Sequence, residues 1–167
     1  MKISLTKAKS THNPMLIKTI LISEGPVLEI GAGIYSTPLM HWLCQMLGRR
    51  LVTYENDPNF YQFARKFMSA GHRVRFIQDW DEMDFKTHWG VILIDHSPDS
   101  RRVVDLINFK DKADYIVVHD TDLEDQYNWG GAWPHFKYRY TWKDSRPWTT
   151  VVSNFKDLSN LDRILVK

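Results

Sequence analysis

The run Val27-Leu28-Glu29-Ile30-Gly31-Ala32-Gly33-Ile34-Tyr35-Ser36-Thr37 restricts the fold more than any other stretch of the chain. Val27, Leu28 and Ile30 read as a buried strand. Gly31 and Gly33 let the backbone turn tightly and come close to a ligand. The helix opening at Thr37-Pro38 points its first amide groups into the same space. A strand, a glycine turn and a helix in that order hold a nucleotide-like cofactor.

The charges around the turn select among such cofactors. A dinucleotide presents a dianionic pyrophosphate, which Glu29 at the mouth of the turn would repel. Ser36 also stands where the dinucleotide fingerprint needs its third glycine. S-adenosylmethionine carries an ammonium, a sulfonium and one carboxylate, so an acid there attracts it. Glu29-Ile30-Gly31-Ala32-Gly33 resembles the first motif of the class I S-adenosylmethionine-dependent methyltransferases.

The rest of the chain carries the resemblance further. A short helix around Pro14 to Ile22 precedes the first strand. Leu39, Trp42, Leu43, Met46 and Leu47 then recur at helical spacing and form one apolar stripe, closed by Gly48. A second strand covers Leu51 to Tyr54. The next helix starts at Asp57-Pro58, with Asp57 as N-cap, and carries Phe60, Phe63, Ala64, Phe67 and Met68. Strands at Val74 to Ile77, Val91 to Ile94 and Tyr115 to Val118 alternate with a helix from Pro98 through Phe109. Residues 123–135 read as a loop. Phe136 to Trp142 and Thr149 to Phe155 form an antiparallel hairpin. The expectation is an α/β fold, a Rossmann-like three-layer sandwich of about seven strands, mostly parallel with a C-terminal hairpin. It forms one domain over residues 1–167, and the resemblance covers roughly residues 14 to 155.

Composition narrows the function. A net charge of +2 favours neither a basic nucleic-acid binder nor an acidic tail. The single cysteine, Cys44, excludes an internal disulfide and a cysteine-cluster zinc site, and suits a reducing cytoplasm. No apolar run approaches the ~20 residues of a membrane span. Met1-Lys2-Ile3-Ser4-Leu5 lacks the apolar stretch of a signal peptide. The expectation is a cytoplasmic protein without a membrane partner.

Ligands of open α/β sheets bind beyond the carboxyl ends of the strands, so the residues there are the candidates. All five ends are acidic. Glu55, about twenty residues beyond the glycine turn, can take both ribose hydroxyls, although a helix-start acid would look the same. By the resemblance, the adenine pocket follows the third strand, at Asp79 and Trp80. Gly31, Ala32 and Gly33 line the methionine part by backbone contact, and Ser36 and Thr37 hold its carboxylate. Asn56 and Asp95 complete the cofactor set with Glu29. Asp95-His96-Ser97 and His119-Asp120-Thr121 frame the reaction centre. His96 is the preferred general base, because its pKa lies near neutrality, with Asp95 and Asp120 positioning; His119 ranks below it.

A metal reading competes for the same residues. Asp95 and Asp120, with Asp122 or Thr121, could hold Mg²⁺, as the resemblance to the catechol O-methyltransferase-like branch implies. Thr121 stands where that branch prefers an asparagine, and Ser97-Pro98 leaves no lysine near its usual position. The metal-free route is preferred. Trp129 and Trp133, between flexible glycines, read either as a substrate wall or lid, or as packing on the sheet edge. Arg101-Arg102 read as a solvated helix face, and nucleic acid is disfavoured. The expected activity is O-methylation of a small-molecule or glycan-like acceptor, with homo-oligomerisation as a way to complete the substrate wall. A non-catalytic S-adenosylmethionine-binding protein and a nicotinamide-dependent oxidoreductase are the alternatives.

Overall fold

Short apolar runs separated by helices cannot pair as hairpins, so successive strands lie parallel. In the computed structural model, which describes residues 7–159 and 161–163, this pairing builds one seven-stranded sheet. The strands are β1 (Val27–Ile30), β2 (Leu51–Glu55), β3 (His72–Phe76), β4 (Trp89–Ile94), β5 (Ala113–Val118), β6 (Tyr138–Trp142) and β7 (Thr149–Ser153). Their spatial order is β3-β2-β1-β4-β5-β7-β6. The first five are parallel, β7 runs antiparallel to β5, and β6 runs antiparallel to β7. The order reverses between β1 and β4, so the crevice for a ligand opens at their carboxyl ends, above the glycine turn. Residues 1–5, read above for a missing signal peptide, lie outside the described residues.

Successive strand residues point to opposite faces, and the core divides accordingly. Leu28, Ile30, Ile92, Ile94, Ile116 and Val118 pack on one face with Leu106 of α4 (Asp99–Asn108) and with Phe109, which follows its last residue. Val27, Val91, Leu93 and Val117 pack on the other with α1 (Asn13–Ile22) and α2 (Ser36–Met46). α3 (Pro58–Ala64) starts as its sequence predicts, the Asp57 carboxylate accepting from the N–H groups of Asn59 and Phe60 at 2.7 and 3.2 Å. It ends at Ala64 and passes into a 3₁₀ turn, Arg65–Phe67, so the longer stripe ending at Met68 is not one helix.

Two other expectations need correction. The buried face of α2 is Ser36, Thr37, Met40, His41 and Cys44. Trp42 and Met46, expected to point inward, are 57% and 81% exposed. Hydrogen bonding explains the rotation, because Thr37 and His41 reach polar partners beneath the helix that Trp42 and Met46 cannot satisfy. Residues 123–135 are three short helical turns, α5 (Glu124–Tyr127) and the 3₁₀ turns Trp129–Gly131 and Trp133–His135. Tyr127, Trp129 and Trp133 stack in series, and Trp129 is fully buried. Trp129 is thus core rather than a lid. No helix among the described residues is long and apolar enough to cross a membrane.

Candidate active site

The glycine turn meets its neighbours through backbone. Gly31 has φ +90°, and a Cβ there would lie 2.7 Å from the Asp95 carbonyl oxygen and 2.7 Å from His96 Cα. The close approach that needs this glycine is therefore to the end of β4. Glu55, at the end of β2, secures the other side. One carboxylate oxygen accepts from the Ala32 N–H at 2.7 Å, and the other from the Asn56 and Asp57 N–H groups, both at 2.7 Å. Burial raises the Glu55 pKa, opposed by these three N–H groups. The turn, the β2 end and the β4 end form one rigid edge.

Glu29 is fully buried and faces α2, away from the mouth of the turn where its charge was expected to select a ligand. The reason is strand parity: Glu29 shares the face of Val27. Its oxygens accept from Thr37 Oγ1 at 2.9 and 3.0 Å and from Thr53 Oγ1 at 2.7 Å. Thr53 also meets His72 Nε2 at 2.9 Å, and His72 meets His41 at 3.2 Å. Thr37 Oγ1, committed to Glu29, also accepts from the Gly33 N–H, and Ser36 is buried beside Gly33. Neither hydroxyl faces outward toward a cofactor carboxylate.

Burial pushes the Glu29 carboxyl from 4.5 up to about 7, against the pull of the Ser36, Thr53 and Thr37 hydroxyls. An acid raised in the fold holds its proton more tightly folded than unfolded, so its contribution is greatest at low pH. That contribution falls as pH climbs from 4.5 through about 7. Glu29→Gln should flatten this decline in urea unfolding curves collected across the interval. An unchanged slope would mean that Glu29 ionises in the fold without penalty.

Three expected site residues have structural partners of their own. Trp80 is buried, and its Nε1–H donates to the Ser97 carbonyl at 2.9 Å, so its ring belongs to the core. Asp79 is exposed and caps the turn Trp80–Glu82, accepting from the Asp81 N–H at 2.9 Å. His96, the preferred base, points to the face opposite Asp95. It packs against Trp80, with Nε2 3.0 Å from Asp105 Oδ2 but off the line a hydrogen bond requires. Burial lowers its pKa, with Asp105 opposing. His96 is held between Trp80 and Asp105 of α4, away from the Asp95 side chain.

The residues that do converge are Asp95, His119, Asp120 and two that the sequence did not single out, Arg102 and His12. Arg102 was read as solvated, yet it is buried. Its Nη1 lies 2.8 Å from Asp120 Oδ2 and 3.1 Å from Asp95 Oδ1, and its Nε–H donates to the His96 carbonyl at 2.6 Å. The cation between the two acids expected to hold Mg²⁺ is thus the guanidinium. Asp122 is turned away, accepting from the Trp148 N–H at 2.8 Å, and Thr121 Oγ1 accepts from Thr150. Mg²⁺ in the expected pattern does not fit.

His119 Nδ1 lies 3.3 Å from Asp95 Oδ1 and 3.4 Å from Asp120 Oδ1. Burial would raise the Asp95 pKa, but His119, Arg102 and His12 together hold it well below the usual carboxylate range. Asp120 has φ 61°, a left-handed conformation that aspartate tolerates better than most residues, and it lets Oδ2 also accept from the Tyr127 hydroxyl at 3.2 Å. A separate cleft of about 320 Å³, lined by His41, Arg49, Arg50 and His72, opens before β2 and β3 at the far end of the sheet and takes no part here.

No protein-family model matches the chain, and none of the curated proteins matches it in sequence. Solved structures match its fold. A precorrin-6y C5,15-methyltransferase from Geobacter metallireducens superposes with a TM-score of 0.65 at 11% identity, over 91% of this chain and 94% of that one. A methyltransferase from Pyrococcus furiosus gives 0.59 at 14% identity, over 93% and 90%. The N-terminal domain of human METTL16, in complex with SAH, gives 0.56 at 14% identity, over 92% and 73%.

Proposed function

We propose that this chain, which has the class I methyltransferase fold, binds S-adenosylmethionine and transfers its methyl group to an oxygen of a small-molecule or glycan-like acceptor. The observation that carries the reading is the Glu55 carboxylate joining the glycine turn to the β2 end beside Asp95. A carboxylate offers about four acceptor positions and three are taken by backbone N–H groups, so one ribose hydroxyl can donate to Glu55 Oε2 without displacing the backbone. The methionine part would follow the backbone of Gly31, Ala32 and Gly33. This leaves the sulfonium facing the Asp95 side of the crevice.

Asp95 is partly exposed, and Asp120 stands beside it. An acceptor hydroxyl donating to Asp95 is held in line with the methyl carbon, and alignment of this kind supplies much of the rate in a displacement. S-adenosylmethionine bound there would supply the methyl group and leave as S-adenosylhomocysteine, and the acceptor's hydroxyl proton would pass to His119 beside Asp95, whose own carboxyl is held too acidic to keep it. His119 takes the place that the sequence reading gave to His96.

Calorimetric titration separates this reading from a nicotinamide-dependent oxidoreductase. Tight binding of S-adenosylhomocysteine with no response to NAD supports it, and the reverse ends it. Release of S-adenosylhomocysteine in an acceptor screen separates an enzyme from a non-catalytic binding protein. Hairpin RNA belongs in that screen beside hydroxyl compounds, because one METTL16 structure is a complex with the MAT2A 3′UTR hairpin 1, and the case against nucleic acid is not supported.

Glu55→Gln should weaken S-adenosylhomocysteine by about 1–3 kcal/mol, roughly 5- to 150-fold in Kd. The amide turns a donor toward one of the backbone N–H groups and removes an acceptor from the ribose. Unchanged affinity would leave Glu55 a purely architectural role.

A further inference from the structure

We propose that His12, Asp95 and His119 form a binding site for a divalent first-row transition-metal ion. The three come from separate segments: the residue before α1, the end of β4 and the end of β5. Their ligand atoms lie within 4.8 Å of one another. His12 Nδ1 is 3.8 Å from Asp95 Oδ2, and His119 Nδ1 approaches the other carboxylate oxygen. The site is distinct from the Mg²⁺ pattern of acids after β4 and β5, since it excludes Asp122 and adds an imidazole from the other end of the chain.

His12 supplies the second, independent observation. Its side chain is 2% exposed, and neither ring nitrogen has a hydrogen-bond partner. A buried polar group without a partner is costly, so a ring kept in this state beside a carboxylate needs an occupant to satisfy it.

His119 is oriented for the same task. Thr11 Oγ1 donates its only proton to the Pro147 carbonyl at 2.7 Å, so toward His119 Nε2, at 2.8 Å, it acts as acceptor. The Nε2–H is thereby fixed, which leaves Nδ1, facing Asp95, as the nitrogen that would bind a metal on giving up its own proton. A ligating histidine whose second nitrogen donates to a neighbour is the usual outer-shell arrangement of metal sites. Two imidazoles and one carboxylate suit first-row transition ions, whereas Mg²⁺ selects an all-oxygen shell. Three protein ligands also leave positions open for an oxygen-bearing molecule beside Asp95.

The test uses the full chain, stripped with a chelator, desalted and titrated with Co²⁺, whose visible d–d bands report nitrogen and oxygen ligation. One ion per chain is expected, with Zn²⁺ competing and excess Mg²⁺ not. His12→Gln and Asp95→Asn should each weaken Co²⁺ at least ten-fold, while Asp122→Asn leaves it unchanged. If His12→Gln does not fold, Thr11→Val, which removes the hydroxyl that orients His119, should weaken Co²⁺ by roughly ten- to a hundred-fold. Absence of the bands would overturn the proposal and assign the position between His119 and Asp95 to a proton. Bands that persist in these variants, or that Mg²⁺ removes, would overturn it equally. Titrating S-adenosylhomocysteine into the stripped protein keeps the two readings separable, since cofactor binding does not require the ion.

Discussion

Arg102→Ala should lower the unfolding free energy by about 3–5 kcal/mol, the cost of breaking a buried ion pair by removing one partner. Arg102 is buried between Asp95 and Asp120, and its Nε–H also satisfies the His96 carbonyl. Truncation leaves two carboxylates facing each other across the ends of β4 and β5, with one of them already in a left-handed backbone conformation. For a domain of this size the melting temperature should fall by roughly 10 °C. Asp95 gives the result a pH signature. Its carboxyl lies below the usual range when folded, so the stability it contributes is present above the unfolded value and lost as pH falls through the folded one. The gap between Arg102→Ala and the natural protein should therefore narrow in acid, where Asp95 accepts a proton. Arg102→Lys should recover part of the loss, because one ammonium cannot bridge both acids and also reach His96. Urea melts at neutral and acid pH measure all of this. A loss under about 1 kcal/mol would put the pair with solvent-screened surface bridges.

The order of strands and helices was legible because it rests on periodicity. Each strand of the parallel set is an apolar run bounded by turn residues, and the crossing helices follow from parallel pairing. Facing was harder to read. β4 is buried on both sides, so its sequence shows no alternation of apolar and polar residues, and nothing marks which side each terminal residue takes. Strand parity alone would have separated Asp95 from His96, since adjacent residues point to opposite faces. Applied to β1, the same count puts Glu29 with Val27, beneath α2, and explains why Thr37 and His41 face inward where hydropathy favoured Trp42 and Met46.

The converging side chains were partly hidden by distance in sequence. His12 reaches Asp95 across 83 positions (95 − 12), and no local motif announces that contact. Arg102 carried a weak signal. It lies one turn into α4, four residues after Pro98, and close enough to the strand ends for a long side chain to return to them. A net charge of +2 concealed it, because one buried arginine matched to two acids leaves no mark on composition. The acids after β4 and β5 are legible in the sequence, whereas the guanidinium that α4 sends between them is not.

Gly31 and Gly33 should respond to the same substitution in opposite ways, which separates fold from cofactor site. Gly31→Ala forces a side chain into φ +90°, and its Cβ would sit 2.7 Å from backbone atoms of Asp95 and His96. Backbone at a strand end cannot retreat without parting β1 from β4. The left-handed conformation alone costs about 1–2 kcal/mol and overpacking against fixed atoms a further 1–3, so a loss of roughly 3 kcal/mol or more is expected. At Gly33 the φ is ordinary, and the nearest obstacle is Ser36 Oγ at 2.5 Å, a side-chain end that rotates away. Gly33→Ala should therefore cost little stability. It should still weaken S-adenosylhomocysteine, since moving Ser36 aside for the new methyl group shifts the turn that the cofactor would follow. Urea melts read the first effect and calorimetry the second. Equal stability losses at both positions would refute the distinction. Full cofactor affinity in Gly33→Ala would move the ligand off the glycine turn, and with it the proposal that this crevice binds S-adenosylmethionine.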